Sequence, residues 1–258
     1  MTGRSAGSRR FAAAAAIVFG SGLSVIPEGA TVQDEVSYAE LGWPQVSVAG
    51  HAGRLVLAGL GGARLLLACG RPHLYEGWSR EQLARPVADM ASWGARRMVL
   101  TNACGGLASA GSAGPAPGSV VVVEEVVDLQ EPPRASAEPL RLAATAPRLV
   151  TPCEEALRPF LTVRRGRYVA VPGPQYETPA EAAWLSRFGD TVGMSTAPEV
   201  RAAREHGLQQ AVLALVVNTA GAAVGHEEVL AAAAGMAERL RRALPALLRA
   251  CWPDIFGA

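Results

Sequence analysis

The chain contains no lysine: all 24 of its Lys-or-Arg positions are arginine. That excludes a Schiff-base lysine, a pyridoxal phosphate anchor and the lysine of a Walker-type phosphate loop. Genome-wide preference for Arg and Ala codons accounts for the bias without any functional demand. Net charge is only +1, and no basic run is longer than two arginines, so the electrostatic footprint of a nucleic-acid binder is missing. There is no apolar run long enough to span a bilayer. Cysteines are few, Cys69, Cys104, Cys153 and Cys251, with no C-x-x-C pair. They fit reduced, buried thiols of a cytoplasmic protein better than zinc ligands or disulfides. Arg9-Arg10 followed by Phe11 to Phe19 imitates a short signal peptide, but no A-x-A site follows and the stretch runs into Gly20-Ser21-Gly22.

What is present is enough apolar material for a full core. Half of the 258 residues are hydrophobic and 18% are charged. No repeat or linker divides the chain. Residues 1–19 read as an arm and a first strand, and residues 20–258 as the continuation of the same domain. Strands alternate with helices, so the expected fold is a single α/β domain with a central mixed sheet flanked by helices.

The chain is organised around Gly70 to Gly77, GRPHLYEG. It follows the apolar run Leu65 to Cys69 and places polar chemistry at a strand exit, where α/β proteins keep their sites. Arg71 offers a planar fork of donors for phosphate or carboxylate, and His73 adds a group that exchanges a proton near neutral pH. Upstream, Ala15 to Phe19 reads as a strand and Gly20-Ser21-Gly22 as an anion-facing turn. Residues 24–45 read as irregular. Leu55 to Gly59 and Arg64 to Cys69 read as a hairpin around Gly61-Gly62, with His51 just before it between glycines.

Ser79 to Trp93 fits a capped helix. Arg97 to Thr101 is a strand that delivers a small-residue turn, Asn102 to Gly106. Ser119 to Val123 is β-branched, and residues 108–118 form a loop. The stretch from Gln130 to Pro152 shows no period. Tyr168 to Val171 is a short strand ending at GPQYET. Thr178, Pro179 and Glu181 supply an N-cap, a first-position proline and a capping-box glutamate for a helix to about Phe188. Glu177 stands just before that helix, where a carboxylate is favoured on structural grounds alone. Thr191 to Ser195 and Ala211 to Val217 are strands, with Asn218 at the exit of the second. Ala197 to His206 is helical. His226 opens the last helix, whose core face runs through Val229, Leu230, Met236, Leu240, Leu244, Leu247 and Leu248, with a kink expected at Pro245.

Taken together, GSGL, GHAGRL, GRPHLYEG, TNACGGL, GPQYETPAE, VGMSTAPEV, VVNTAG and HEEVLAA occur in an order that resembles the trimeric purine nucleoside phosphorylases. The resemblance spans about Gly20 to Arg249. It implies a nucleoside-phosphorylase-like fold and phosphorolysis of 6-oxopurine (deoxy)ribonucleosides, with inorganic phosphate as co-substrate and no cofactor or metal. By resemblance, Ser21, His51, Arg71, His73, the backbone of Ala103, and Ser195 hold phosphate. Tyr75, Met194 and His226 line the ribose. Tyr176, Glu177, Val192, Gly193 and Asn218 form the base pocket, and His73, Glu177 and Asn218 carry the catalysis. A homotrimer is implied, with no nucleic-acid or membrane partner.

The chain departs from the family in places. It has EVVD at Glu125 to Asp128 where a D-H-I-N-like stretch is usual. Residues 130–152 and 218–226 are shortened, no counterpart is found to the aromatic lent to a neighbouring subunit, the first helix is absent, and Cys104 replaces an alanine. Two alternatives stand beside the enzyme at this point: a non-catalytic nucleoside- or phosphate-binding homologue, and a 5′-methylthio nucleoside phosphorylase.

Overall fold

The structure, a computed structural model, describes residues 10–47, 52–109, 111, 113–130, 138–223 and 225–257. Its spine begins with β1 (Ala15–Val18), every residue of which is buried. β3 (Arg54–Leu60) and β4 (Ala63–Cys69) form the expected antiparallel hairpin. Gly61 and Gly62, at its tip, have φ of 54° and 88°. A two-residue loop with both φ positive matches the twist of the flanking strands, and glycine adopts it without a Cβ penalty. β2 (Thr31–Ser37) pairs with β3 and forms the sheet edge. Only Val36 of β2 is buried, and Asp34 and Glu35 help keep that edge from recruiting another strand.

β1 lies parallel between β4 and β5 (Arg97–Gly106), and β5 is parallel to β10 (Gln209–Thr219). Beyond them stand β6 (Ser119–Asp128), β8 (Thr162–Ala170) and β9 (Thr191–Gly193), while β7 (Leu140–Ala143) pairs with β6 off the main path. The strand order is β10-β6-β8-β9-β5-β1-β4-β3-β2, and β10 also pairs with β5. Five strands therefore close into a ring, β5-β10-β6-β8-β9, while the rest extend as an open sheet.

Strand alternation sends side chains to two cores. Ile17, Leu65, Leu67, Val99, Leu213 and Leu215 meet α3 (Pro147–Leu157) and α6 (His226–Cys251) on one face. Ala16, Val18, Leu66, Leu100, Val212 and Ala214 meet α2 (Arg80–Ser92) and α5 (Ala197–Glu205) on the other. Helices on both faces explain why the central strands read as unbroken apolar runs. α4 (Pro179–Leu185) begins with the expected capping box of Thr178 and Glu181, and α2 with the expected cap at Ser79, which Gln82 completes into a second capping box.

Several expectations are corrected. Residues 24–45 are not irregular: they contain β2 and α1 (Tyr38–Leu41), which has its own capping box between Ser37 and Glu40. Asn102 to Gly106 is not a turn but the continuation of β5, because Gly105 and Gly106 pair with β9 on one side and β10 on the other. The aperiodic stretch before Pro152 holds β7 and the start of α3. In α3, Pro147 serves as a first-turn proline, and Leu149, Val150, Cys153 and Leu157 form a buried stripe around Pro152. α4 ends at Leu185 rather than Phe188. All four cysteines are free and buried, and packing of α3 against α6 brings Cys153 Sγ to 3.4 Å from Cys251 Sγ.

Leu213 sits on β10 opposite Thr101 of β5 and Val122 of β6, and is wholly buried. Leu213→Ala should lose about 2–5 kcal/mol of stability. Urea titration should show a lower midpoint with an unchanged slope; a loss under 1 kcal/mol would mean that the ring is not the tightly packed centre of the fold.

Candidate active site

The exits of β1, β4, β5, β9 and β10 meet at a cavity of about 330 Å³. Its wall includes Ser21, His73, Tyr75, Ala103, Tyr176, Glu177, Val192, Gly193, Met194, Ser195 and Asn218. The structure thus gathers most of the residues singled out in the sequence. His51 lies outside the described residues, as does the side chain of His226, although His226 does open α6. Arg71 is not on the wall; it lies directly behind Ser195.

At one end of the cavity the β1 turn packs against β5. A Cβ on Gly20 would lie 2.7 Å from the Cα of Asn102, so only glycine permits this approach. The Leu23 amide donates to the Gly20 carbonyl at 3.1 Å and closes the turn that presents Ser21. Arg71 leaves β4 with 1% exposure. Its Nη1 donates to the Thr101 carbonyl at 2.8 Å and to Ser195 Oγ at 3.2 Å. Its Nε faces Glu199 Oε1 at 2.5 Å in a buried ion pair.

Between β9 and α5 the backbone is strained. Thr196 has φ 78° and ψ −37°, and the Ala197 amide donates to the Ser195 carbonyl at 3.0 Å, which makes a three-residue γ-turn. A non-glycine residue held there costs roughly 1–3 kcal/mol and persists only where its surroundings hold it. Here the Asn102 amide donates to Thr196 Oγ1 at 3.0 Å, and Arg71 approaches the same oxygen at 3.4 Å. The turn sets the Ser195 hydroxyl between Arg71 and the cavity.

His73 is oriented by Glu76. Glu76 accepts from the His73 amide at 2.8 Å and lies 3.1 Å from Nδ1. It also accepts from the amide and hydroxyl of Ser47, at 2.8 and 2.7 Å. Burial alone would push the Glu76 carboxyl up, but the bonds from His73 and Ser47 outweigh it and hold the group at about 2. An ionised Glu76 at Nδ1 favours the Nδ1–H tautomer, in which Nε2 carries the lone pair. The imidazole also stacks on Tyr75, with centroids 4.8 Å apart.

The far end is built from β9, β10 and the segment before α4. A register shift in β10 between Val216 and Asn218 lets Val217 and Asn218 both reach the wall, where a regular strand would turn one away. The Asn218 amide donates to the Thr219 carbonyl at 3.3 Å. Gly193 has no alternative: a Cβ there would lie 2.5 Å from the Tyr168 hydroxyl. Glu177 enters from the segment before Thr178, and burial, with help from Glu181, raises its carboxyl above the ordinary value. Cys104 closes the floor, its thiol pushed up by burial and its Sγ donating to the Leu215 carbonyl at 3.3 Å. Among the described residues no cluster of three or more His, Cys, Asp or Glu could hold a metal ion. No helix of the described residues is long and apolar enough to cross a membrane.

The cavity wall therefore combines hydroxyl and imidazole groups at Ser21, His73 and Ser195, a carboxyl and an amide at Glu177 and Asn218, and aromatic and apolar side chains at Tyr75, Tyr176, Val192 and Met194. Residues 15–249 match the profile of the phosphorylase superfamily, and the chain belongs to that superfamily. Its similarities place it among the purine nucleoside phosphorylases within it. It is 38% identical to the purine nucleoside phosphorylase of Mycobacterium tuberculosis (strain ATCC 25618 / H37Rv), over 87% of this chain and 85% of the relative. A Schistosoma purine nucleoside phosphorylase solved with guanosine superposes with TM-score 0.78 at 28% identity, covering 93% of this chain and 91% of that one. The Schistosoma mansoni enzyme solved with adenosine superposes with TM-score 0.79 at 28% identity, covering 95% of each chain.

Sequence reading passed over Thr196, Glu199 and the role of Glu76. Glu76 stood three residues after His73, the spacing that allows a return contact. Nothing local marks Thr196 or Glu199, because their partners lie more than ninety residues away in Asn102 and Arg71.

The depressed Glu76 carboxyl has a stability consequence with a defined sign. Its contribution is present above the ordinary value of 4.5 and is lost as pH falls through about 2. Glu76→Gln should lower the melting temperature at pH 7 and flatten the fall in stability between about 4.5 and 2. Melting curves of both proteins across that range check it; parallel curves would show that Glu76 does not hold His73 in solution.

Proposed function

We propose that the protein catalyses reversible phosphorolysis of the N-glycosidic bond of 6-oxopurine (deoxy)ribonucleosides such as inosine and guanosine, giving free base and (deoxy)ribose 1-phosphate. The observation that carries the reading is that one cavity gathers Ser21, His73, Ala103 and Ser195 with Tyr75, Met194, Glu177 and Asn218 on its wall.

Phosphate held by hydroxyls, imidazole and turn amides, with Arg71 behind Ser195, lies below C1′ of a nucleoside whose base reaches Glu177 and Asn218. The bond breaks through an oxocarbenium-like sugar, stabilised by the phosphate charge beneath it. Negative charge builds on the departing purine, and Asn218 donates its amide N–H toward N7 or O6 without transferring a proton. Glu177 accepts from N1–H. Positioning of two substrates in one site supplies much of the acceleration, so no nucleophile triad is required. The reaction draws on phosphate as co-substrate and on no cofactor. The homotrimer is supported by family resemblance, and closed cyclic symmetry lets one interface repeat three times. Four free cysteines are in keeping with a cytoplasmic setting.

Inosine incubated with the purified protein should release hypoxanthine only when phosphate is supplied. Release at the same rate in phosphate-free buffer would make the protein a hydrolase and end this reading.

Base selection follows from the Glu177–Asn218 edge. A 6-oxopurine presents an acceptor at O6 and a donor at N1; adenine reverses both. Each mismatch leaves a buried polar group unpaired, at about 1–3 kcal/mol. Because a related enzyme has been solved with adenosine, the informative quantity is a ratio of catalytic efficiencies rather than binding itself. Asn218→Asp should lose activity on inosine and gain relative activity on adenosine, about tenfold or more in the ratio. An unchanged ratio would remove Asn218 from the base site.

A further inference from the structure

Glu199 takes no part in the chemistry just described, yet its carboxylate forms the ion pair at Arg71 Nε, 2.5 Å away. The two side chains are 7% and 1% exposed. A buried ion pair is a weak source of stability, because desolvating both charges offsets most of their attraction. Folding alone gives little reason to keep one here. Its location gives another. Glu199 is in the first turn of α5, where the helix N-terminus favours a carboxylate. The turn just before it carries Ser195 and Thr196, whose hydroxyls engage Arg71 Nη1. One short segment thus grips the guanidinium on two sides, and one of those grips is a full negative charge.

We infer that Glu199 is a positioning and charge-balancing residue: it compensates the Arg71 charge so that bound phosphate keeps its own negative charge for the sugar cation. The inference rests on the phosphorolysis reading. An uncompensated guanidinium in a low-dielectric site would hold the phosphate dianion more tightly before reaction. Tighter ground-state binding lowers KM without raising kcat. Charge drawn toward Arg71 is also charge withheld from the oxocarbenium that phosphate must stabilise. With Glu199 in place, the arginine orients the anion end through Ser195 without acting as a full-strength anion trap. The other carboxylate at this end, Glu76, is engaged with His73 and Ser47 and so does not replace Glu199 at Arg71.

The sign of the effect separates this role from a merely structural one. Glu199→Gln keeps the shape of the side chain and removes its charge. Calorimetric titration of the full chain with inorganic phosphate, and separately with sulfate, should show dissociation constants lowered about tenfold. Steady-state assays on inosine should show a lower KM for phosphate together with a lower kcat. Glu199→Asp draws the charge back by one methylene and should move the same quantities in the same direction by about two- to threefold. Should Glu199→Gln fail to fold, the aspartate variant carries the test by its sign. If Glu199 only props Arg71 in place, loosening it must weaken both anions and raise KM. Unchanged or weaker anion binding in a folded variant therefore overturns the inference and leaves phosphorolysis standing. A wild-type protein that binds neither anion and cleaves inosine without phosphate would overturn the phosphorolysis reading, and this inference with it.

Discussion

The pairing of β5 with β10 is the constraint on which the rest of the molecule depends. It closes five strands into a ring and sets Asn218 opposite Gly105. β5 also pairs with β1 and β9, so three strand exits are registered against it. Each backbone hydrogen bond contributes little alone. Together they fix the relative height of Ser21, Ala103, Met194 and Asn218, residues that come from four distant parts of the chain. Gly105 and Gly106 matter because other segments press on the strand there, Ala220 against the first and Pro115 against the second. A Cβ on Gly106 would lie 2.0 Å from the Pro115 carbonyl oxygen.

A second constraint is the treatment of buried charge. Arg71, wholly enclosed, is matched by a carboxylate, a carbonyl and a hydroxyl, as a buried cation must be. His73 is matched by Glu76. These contacts order the anion end in advance of any ligand, which limits the reorganisation needed when charge develops. The strained γ-turn at Thr196 belongs to the same economy: its cost is local, and the position it gives Ser195 is functional.

Periodic and punctuated segments were legible in the sequence. The β3–β4 hairpin follows from two apolar runs around Gly61-Gly62, α2 from the Ser79 cap and Gly94 beyond its end, and α4 from Thr178 with Glu181. β2 was not legible, because an edge strand with one buried residue has no alternation to read. α3 was hidden by Pro152, which on average argues against a helix interior but here sits amid a well-buried stripe. β5 read as ending at Thr101 because glycine and alanine carry no strand preference; the strands on both sides override that.

The chain by itself determined which chemistry could be assembled. Without lysine, and with Arg71 and His73 at a strand exit, the available groups already pointed to an anion, while a base contact at Glu177 and Asn218 was implied only by family resemblance. Side-chain chemistry and local conformation depend on near neighbours, so both can be read from residue type and short spacing. Only the tertiary structure decided that Arg71 stands behind Ser195 rather than on the cavity wall, that Glu199 faces it, and that a bulge in β10 turns Asn218 inward. Those facts depend on contacts between residues far apart in the chain, where no local pattern records which side chain a buried charge will meet.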